Sequence, residues 1–220
     1  MRSALVIGAS GGVGAALAEA LEARGRAVTR LSRREDGLDL TDPQSVAEVM
    51  GRQQGPFDLI LLAAGILAPP GAAPEKSLAQ VEAETMARVM AVNAIGPALV
   101  LAHAPRLLPR RSPCAVGVLT ARVGSIGDNR LGGWHSYRAS KAAANQILRG
   151  AAIEIGRKRP QAAVVALHPG TVETGFTADY PGYDKVAPAT AAENLLAVLD
   201  GLTPADTGRF LDWAGREIPW

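Results

Sequence analysis

A tyrosine and a lysine stand four residues apart in a stretch that the sequence predicts to be one long helix. Tyr137 and Lys141 therefore project from the same helical face, where their side chains can interact. A phenol normally loses its proton near pH ~10, and a neighbouring ammonium group lowers that pKa by stabilising the phenolate. A tyrosine tuned in this way can donate or accept a proton near neutral pH. The pair is the first candidate for catalysis.

A second candidate site follows the first predicted strand. The apolar run Ala4–Ile7 leads into a glycine-rich segment and then a helical stretch, which is the context that a nucleotide-phosphate site requires. Glycines let the backbone approach a pyrophosphate, and the helix N-terminus attracts its negative charge. The alternative is a surface turn with only a structural role. The predicted cofactor contacts here are Gly8, Ser10, Gly11, Gly12, Val13 and Gly14.

Apolar runs alternate with helical stretches along the whole chain. This pattern predicts a single α/β domain over residues 1–220, with a parallel sheet covered by helices on both faces. The predicted strands are Ala4–Gly8, Ala27–Ser32, Gly37–Leu40, Phe57–Ala63, Cys114–Ala121, Ala162–His168 and Arg209–Trp213. The predicted helices are Gly12–Arg24, Asp42–Gln54, Leu78–Leu108, Ser136–Lys158 and Pro188–Asp200.

Composition argues against several other functions. The formal net charge is only +2 and the basic residues are scattered, so we expect no nucleic-acid partner. The sequence has no signal peptide before the first strand and no apolar stretch long enough to cross a bilayer, so we expect a cytoplasmic protein without a membrane partner. The three histidines lack ligand spacing, so we expect no metal.

Five short motifs together resemble those of the short-chain dehydrogenase/reductase family. They are Gly8-x-x-x-Gly12-x-Gly14, Ala63-Ala64-Gly65, Asn93, Tyr137-x-x-x-Lys141 and Pro169-Gly170-Thr171-Val172-Glu173-Thr174, in the family's order and over essentially the whole chain. Within the family, Val123–Asn129 and Gly132–Trp134 resemble the C-factor-like and sniffer-like carbonyl reductases. The resemblance implies a Rossmann-type, doubly wound sheet of about seven strands in the order 3-2-1-4-5-6-7. It also implies oxidoreductase activity with a nicotinamide cofactor.

The resemblance implies a role for each matched residue. Tyr137 would exchange a proton with the substrate oxygen, Lys141 would lower the pKa of Tyr137 and bind the nicotinamide ribose, and Asn93 would help to hold a water-linked proton path. Asp39 and Leu40 would contact the adenine. The other implied cofactor contacts are Ala63, Ala64, Gly65, Pro169, Gly170, Val172 and Thr174. Alternatively, Asn93 ties a helix to a strand and Asp39 is a turn residue.

The charges after the second strand favour NADP over NAD. NAD-binding folds usually carry an acidic residue there, which accepts hydrogen bonds from the ribose hydroxyls. Here the strand ends in Ser32-Arg33-Arg34, with no acid before Glu35. A guanidinium group matches the 2′-phosphate of NADP, which a carboxylate would repel. We predict NADP as the cofactor, with NAD as the alternative. Arg33 is the better candidate to bind the 2′-phosphate and Arg34 is the second candidate. The alternative is that both arginines simply face solvent.

Two departures from the family pattern affect the prediction. The usual Asn-Asn-Ala-Gly is Leu62-Ala63-Ala64-Gly65 here, which removes a side chain that normally braces the cofactor side of the sheet. The family's catalytic serine, the second of a Ser-Ser pair, corresponds to Ala121. Ser125, four residues later, is the predicted replacement, and Thr120 is a weaker candidate.

The substrate is predicted only as a class. The segment Glu173–Ala187 is short and offers Phe176, Tyr180 and Tyr183 as apolar lining, which suggests small or varied aldehydes, ketones or alcohols. The alternative function is a nucleotide-binding regulatory protein with little or no turnover, which Ala121 favours and the Tyr-Lys pair disfavours. By resemblance, the two longest predicted helices pair across a two-fold axis, so we expect a homodimer or homotetramer.

Overall fold

Six parallel strands form the central sheet of the computed structural model, which describes residues 3–179, 182 and 184–220. The sheet has the order β2-β1-β3-β4-β5-β6, and every neighbouring pair is parallel. The strands are β1 (Ser3–Ile7), β2 (Ala27–Leu31), β3 (Leu59–Leu62), β4 (Cys114–Leu119), β5 (Ala162–His168) and β6 (Phe210–Asp212). The strand order reverses between β1 and β3, and in such sheets ligands bind beyond the carboxyl ends of the strands at this switch point.

Helices cover both faces of the sheet. They are α1 (Gly12–Ala23), α2 (Arg33–Asp36), α3 (Pro43–Arg52), α4 (Ala83–Met90), α5 (Gly96–Leu101), α6 (Ala104–Leu107), α7 (His135–Lys158) and α8 (Pro188–Asp200). Buried side chains of α3, α5, α6 and α7 form one core with the sheet. Those of α1 and α8 form a second core on the opposite face. No helix in the described part of the chain is long and apolar enough to cross a membrane.

The central strands are apolar on both sides because both faces are covered. All four residues of β3 are buried, and Ile60 belongs to one core while Leu61 belongs to the other. The first six residues of β5 are also buried. Full burial of a leucine or isoleucine side chain contributes roughly 1.5–3 kcal/mol, so the strands that carry the site are held firmly from both sides.

One predicted strand is absent from the described chain. Residues 37–40 pair with no strand, so the sheet has six strands rather than seven, and the order of the other six agrees with the prediction. The chain turns here instead. The Ser32 hydroxyl accepts a hydrogen bond from the Glu35 amide and caps α2, and Gly37 then adopts a left-handed conformation with φ of 72°. The apolar residues Leu38 and Leu40 predicted a strand at this position. Both side chains are buried in the core, but the backbone here pairs with no strand.

The predicted helix Leu78–Leu108 is divided into several pieces. A 3₁₀ turn at Leu78–Gln80 precedes α4, and a π-helical turn at Ala91–Ile95 separates α4 from α5. Pro97 has no N–H to donate to the carbonyl four residues earlier, that of Asn93, so the helix widens locally. The Gly96 amide accordingly bonds to the Ala91 carbonyl, five residues back. Sequence periodicity gave no sign of this widening, which places Asn93 in a special turn.

Candidate active site

The carboxyl ends of β1, β3, β4 and β5 open onto one cavity of about 820 Å³. The helix α7 supplies a further wall through Tyr137 and Lys141. The remaining lining comes from the last residues of β4 and β5, the start of α1, Arg138 of α7 and the loops and turns that follow the strands. The residues of this remaining lining are 11–13, 63–65, 67, 76, 119–123, 131–134, 138, 168–172 and 174–177.

Tyr137 lies in an aromatic cluster at the start of α7. Its side chain is buried, with its ring centroid 6.2 Å from that of Trp134, edge-on, and 5.8 Å from that of Phe176. One helical turn later, the Lys141 ammonium lies 5.8 Å from the Tyr137 ring centroid and donates a hydrogen bond of 3.1 Å to the Leu119 carbonyl. The helix therefore places the phenol and the ammonium on one face, as their spacing predicted, and directs both toward the carboxyl end of β4.

Burial controls the ionisation of both groups. It raises the pKa of Tyr137, because the phenolate would lose its hydration, and it lowers the pKa of Lys141 to about 8 for the same reason. The expected lowering of the tyrosine pKa by the lysine is therefore outweighed by burial in this structure. Tyr137 is therefore protonated at neutral pH, so a transferable proton is present, although the same burial makes the phenol a weaker acid.

A buried glutamate fixes the start of α7. Trp134 adopts a left-handed conformation with φ of 50°, and its amide donates to the Glu75 carbonyl. The Glu75 carboxylate accepts hydrogen bonds from the Ser136 amide and hydroxyl, which caps the helix that carries Tyr137. Burial opposes its ionisation, but these hydrogen bonds hold the pKa of Glu75 below its usual range. Sequence reasoning missed Glu75, because its partner is 61 residues away.

Asn93 joins the π-helical turn to the loop after β3. Its Oδ1 accepts from the Ile66 amide at 2.8 Å, and its Nδ2 donates to the Ile66 carbonyl at 2.8 Å and to the Ser140 hydroxyl at 3.0 Å. A Cβ added at Gly65 would lie 3.1 Å from Asn93 Oδ1 and 3.2 Å from Lys141 Nζ. Asn93 and Lys141 therefore meet across the bare backbone of Gly65. These contacts support the helix-tying role of Asn93, and its part in a proton path stays a prediction.

The glycine-rich turn closely packs β1, α1 and the end of β3. Gly8 has φ of 86°, and a Cβ there would lie 2.9 Å from the Ala63 backbone. A Cβ at Gly14 would collide with the Gly8 carbonyl. Only glycine fits these two positions, which are not part of the cavity surface and act by shaping the turn.

The N-terminus of α1 faces the cavity without a side-chain cap. Gly11 is the N-cap residue, and its neighbours Gly12 and Val13 line the cavity with it. The amides of the first helical turn lack intrahelical partners and favour an anion. A Cβ at Gly12 would lie 2.5 Å from Thr174 Cγ2, so glycine lets the turn pack closely against the segment after β5. The residues present therefore fit the pyrophosphate of a dinucleotide, with exposed Ser10 just before the turn.

The end of β2 lies beside the glycine-rich turn, since the amides of Gly8 and Ala9 both donate to the Leu31 carbonyl. Arg33 and Arg34 follow in α2, and both are exposed. No carboxylate in the described residues forms an ion pair with either arginine. Among the described residues, these two guanidinium groups are therefore unpaired beside the glycine-rich turn. Such groups are suited to bind a phosphate in addition to the pyrophosphate that fits the turn.

Asp39 and Leu40 serve the fold of the following loop. The Asp39 carboxylate accepts hydrogen bonds from the Thr41 hydroxyl at 2.7 Å and from the Thr41 amide at 2.9 Å. These bonds, with a smaller contribution from Arg33, hold the pKa of Asp39 below its usual range. The Leu40 side chain is buried in the core. The predicted adenine contacts of Asp39 and Leu40 stay a prediction.

The structure does not bring Ser125 to Tyr137. Ser125 is 2% exposed, and its hydroxyl donates to the Pro219 carbonyl at 2.5 Å and accepts from the Asp128 amide at 3.0 Å. It lies outside the cavity lining and its hydroxyl bonds to the segment at Pro219. These contacts do not support Ser125 as the replacement for the missing serine, and that role stays a prediction. Thr120 and Ala121 do line the cavity, and Thr120 Oγ1 is buried with no hydrogen-bond partner in the described residues.

The segment after β5 forms the wall nearest Tyr137. Pro169, Gly170, Val172 and Thr174 all line the cavity, and their cofactor contacts stay a prediction. Phe176 contacts Tyr137, whereas Tyr180 and Tyr183 lie outside the described residues.

Two further residues of the cavity wall had no sequence signal. His168 ends β5, and burial, with the nearby Arg122, lowers its pKa to about 4, so it is neutral at pH 7. Arg138 follows Tyr137 in α7. Within residues 3–179, 182 and 184–220, no group of three or more His, Cys, Asp or Glu side chains is placed to hold a metal ion.

Comparison with known proteins defines the class. A family model described as enoyl-(acyl carrier protein) reductase matches residues 8–210, which is most of the chain. The chain therefore belongs to the short-chain dehydrogenase/reductase family and is an oxidoreductase, as the motif resemblance predicted.

Individual relatives agree with this assignment. The 1-hydroxy-2-glutathionyl-2-methyl-3-butene dehydrogenase of Rhodococcus sp. (strain AD45) is 31% identical, over 100% of both chains. The C-signal protein of Myxococcus xanthus is 36% identical, over 76% of this chain and 94% of its own. Among solved structures, a short-chain dehydrogenase/reductase from Burkholderia multivorans with bound NADP is 26% identical, with a TM-score of 0.81, covering 100% of this chain and 99% of the other.

Proposed function

We propose that this protein is an NADP-dependent oxidoreductase that interconverts a small carbonyl compound and its alcohol, with Tyr137 as the proton donor and acceptor. The observation that carries the proposal is the burial of Tyr137 and Lys141 in a cavity that also reaches the uncapped N-terminus of α1. NADP would supply the hydride, and this chain would supply the positioning and the proton.

Each proposed role follows from where the residue lies, in the cavity or beside it. The turn at Gly11–Val13 binds the pyrophosphate, and Arg33 binds the 2′-phosphate. Tyr137 holds a proton at its phenol oxygen, because burial disfavours the phenolate. Lys141, whose ammonium donates to the Leu119 carbonyl, binds the nicotinamide ribose and stabilises the phenolate when it forms. Ala63, Ala64, Gly65 and the segment Pro169–Thr174 complete the proposed cofactor contacts.

Two comparisons support this function. The relative from Rhodococcus is named as a dehydrogenase, and the Burkholderia structure contains NADP. The test is oxidation of NADPH, followed by absorbance, with a panel of small aldehydes and ketones. Turnover of any of them with NADPH in preference to NADH supports the proposal. Absence of turnover across the panel, from protein that binds NADPH, contradicts it.

A second candidate function is a nucleotide-binding regulatory protein with little turnover. Two observations favour it: Ala121 stands where the family has its catalytic serine, and one relative is named C-signal. The same panel discriminates, because a regulatory protein would bind NADPH without oxidising it.

We expect Thr120, not Ser125, to supply the hydroxyl that supports Tyr137. Thr120→Val should lower turnover by about tenfold. This loss is smaller than that expected for removing a hydroxyl donor that is already aligned with the substrate oxygen, because the Thr120 hydroxyl must first rotate to reach that oxygen. Ser125→Ala should leave turnover nearly intact and lower the free energy of unfolding by about 1 kcal/mol, through the lost hydrogen bonds to Pro219 and Asp128. Steady-state kinetics and urea unfolding measure both, and Thr120→Ser is the matched control. Loss of turnover in Ser125→Ala alone would reverse the assignment.

We also infer a homodimer or homotetramer. Ile95 and Ile153 are about half exposed, at 52% and 48%, on the two helical regions that the family resemblance pairs across a two-fold axis. Multi-angle light scattering at micromolar concentration should give twice or four times the 22.8 kDa chain mass. A monomer mass alone would contradict the inference.

A further inference from the structure

The charges around the cavity are one-sided. Four basic side chains line it, from Lys76, Arg122, Arg138 and Lys141, and no described aspartate or glutamate does. Two of these cations already have defined partners. Arg122 pairs with Asp128 at 3.2 Å and lies 3.7 Å from Asp212, and Lys141 is engaged by the Leu119 carbonyl beside Tyr137. The other two basic side chains of the cavity are those of Arg138 and Lys76.

Arg138 is a half-buried cation without a counter-ion. Its Nε donates to the carbonyls of Gly132 at 3.1 Å and Gly133 at 3.0 Å, and its Nη1 donates to the Val123 carbonyl at 3.3 Å. No carboxylate in the described residues forms an ion pair with it. Backbone carbonyls hold the guanidinium in place, and among the described residues no carboxylate compensates its positive charge and no group accepts a hydrogen bond from Nη2.

Lys76 lies on the same wall. A Cβ added at Gly133 would be 3.8 Å from the Lys76 carbonyl oxygen, and the Trp134 amide bonds to the preceding residue, Glu75. The Lys76 side chain is exposed, and its ammonium forms no hydrogen bond or ion pair with the described residues. The nearby Glu75 carboxylate is directed at Ser136 and is not part of the cavity lining. Both uncompensated cations therefore flank the segment Gly132–Trp134.

This charged wall is separate from the proposed phosphate turn and adjoins apolar surface. The phosphate turn packs against Ala63 and Thr174, whereas the charged wall continues into Leu131, Trp134 and Phe176 around Tyr137. Leu131 is 85% exposed and Phe176 is 39% exposed, so both present apolar surface to a ligand. A ligand that fills this part of the cavity therefore contacts both apolar and positively charged side chains.

We propose that the substrate is an aldehyde, ketone or alcohol that also carries a carboxylate, which Arg138 and Lys76 recognise while the reacting oxygen lies at Tyr137. This inference rests on the proposed oxidoreductase function. A guanidinium and an ammonium with no protein counter-ion stabilise a carboxylate by charge-assisted hydrogen bonds, and a neutral substrate would leave both charges uncompensated.

The test compares two substrates of nearly the same shape, 4-formylbenzoate and 4-formylbenzamide, with NADPH as reductant. The measured quantity is the ratio of their kcat/KM values, benzoate over benzamide. Lys76→Glu should lower this ratio by about tenfold, because it replaces an attraction with a repulsion. Arg138→Gln should lower the ratio by about tenfold or more. Arg138→Lys keeps the positive charge, so its ratio should stay close to the parent value. Comparing each variant with the parent cancels the different intrinsic reactivities of the two aldehydes.

Arg130→Glu is the matched control. Arg130 is exposed in the same region but is outside the cavity lining, so the same charge reversal should leave the ratio near the parent value. Raising the salt concentration should lower kcat/KM for the benzoate more than for the benzamide. A ratio that Lys76→Glu and Arg138→Gln leave unchanged overturns the inference. So does an equal change in Arg130→Glu, which would indicate a general surface field.

Binding separates this inference from the proposed function. Calorimetric titration of 4-(hydroxymethyl)benzoate and 4-(hydroxymethyl)benzamide into the protein with saturating NADPH gives the preference without turnover, because the reduced cofactor cannot accept a hydride from either alcohol. If neither aldehyde is reduced but the benzoate alcohol binds more tightly in a Lys76-dependent manner, the anion site stands and the proposed activity fails. If both aldehydes are reduced with no charge preference, the activity stands and the anion site fails.

Discussion

Tyr137→Phe should lower carbonyl turnover by about a hundredfold to ten-thousandfold, the contribution usually made by a positioned general acid. The substitution removes the phenol oxygen and keeps the ring, so the aromatic contacts with Trp134 and Phe176 should survive. Burial raises the pKa of Tyr137, so the proton that this variant lacks is present in the parent throughout the neutral range. Single-turnover reduction of an aldehyde, followed by NADPH absorbance, isolates the chemical step.

The control for this variant is cofactor binding. NADPH affinity, measured by fluorescence titration, should change little, because no step of the proposed binding needs the phenol proton. Loss of both binding and turnover would indicate a folding defect instead of a catalytic one. Normal turnover by the Phe variant would show that Tyr137 is not the proton donor.

The parts of this site that local sequence determines were predictable. The turn from β1 to α1 is specified by adjacent glycines, and Tyr137 and Lys141 share a face because helical spacing alone puts them there. The helix α8 begins and ends where predicted, since Pro188 at its first position marks the start. Strand order followed from the alternation of strands and helices together with the family resemblance.

The parts that distant contacts determine were not predictable. Glu75 caps α7 across 61 residues, and the Ser125 hydroxyl meets Pro219 across 94. Neither pair has a local pattern, because each forms only when the sheet is complete. The backbone partners of Arg138 are nearer, 5 to 15 residues earlier in the connection from β4 to α7, but that connection is irregular and has no periodic pattern that predicts its course. The Ser125 prediction rested on its proximity to Tyr137 in sequence, which could not show that the Pro219 carbonyl would accept its hydroxyl.

The role of Arg33 is tested by charge reversal. Arg33→Asp should weaken NADPH binding by about a hundredfold and NADH binding little, because a charge-assisted hydrogen bond to the 2′-phosphate contributes about 1.5–3 kcal/mol and the aspartate adds repulsion. Arg33 begins α2, two residues after Leu31, whose carbonyl accepts hydrogen bonds from the Gly8 and Ala9 amides of the glycine-rich turn. Fluorescence titration of both cofactors measures the two affinities.

Arg34→Asp is the matched control, since it makes the same charge change one residue along α2, on a different face of that helix. We expect a smaller loss of NADPH affinity from this variant than from Arg33→Asp. Equal losses for NADPH and NADH in either variant would indicate damage to the turn at Ser32–Gly37 in place of lost phosphate recognition. A loss confined to Arg34→Asp would move the role to Arg34. If neither variant affects NADPH, the end of β2 does not recognise the 2′-phosphate, and the NADP preference must come from another part of the chain.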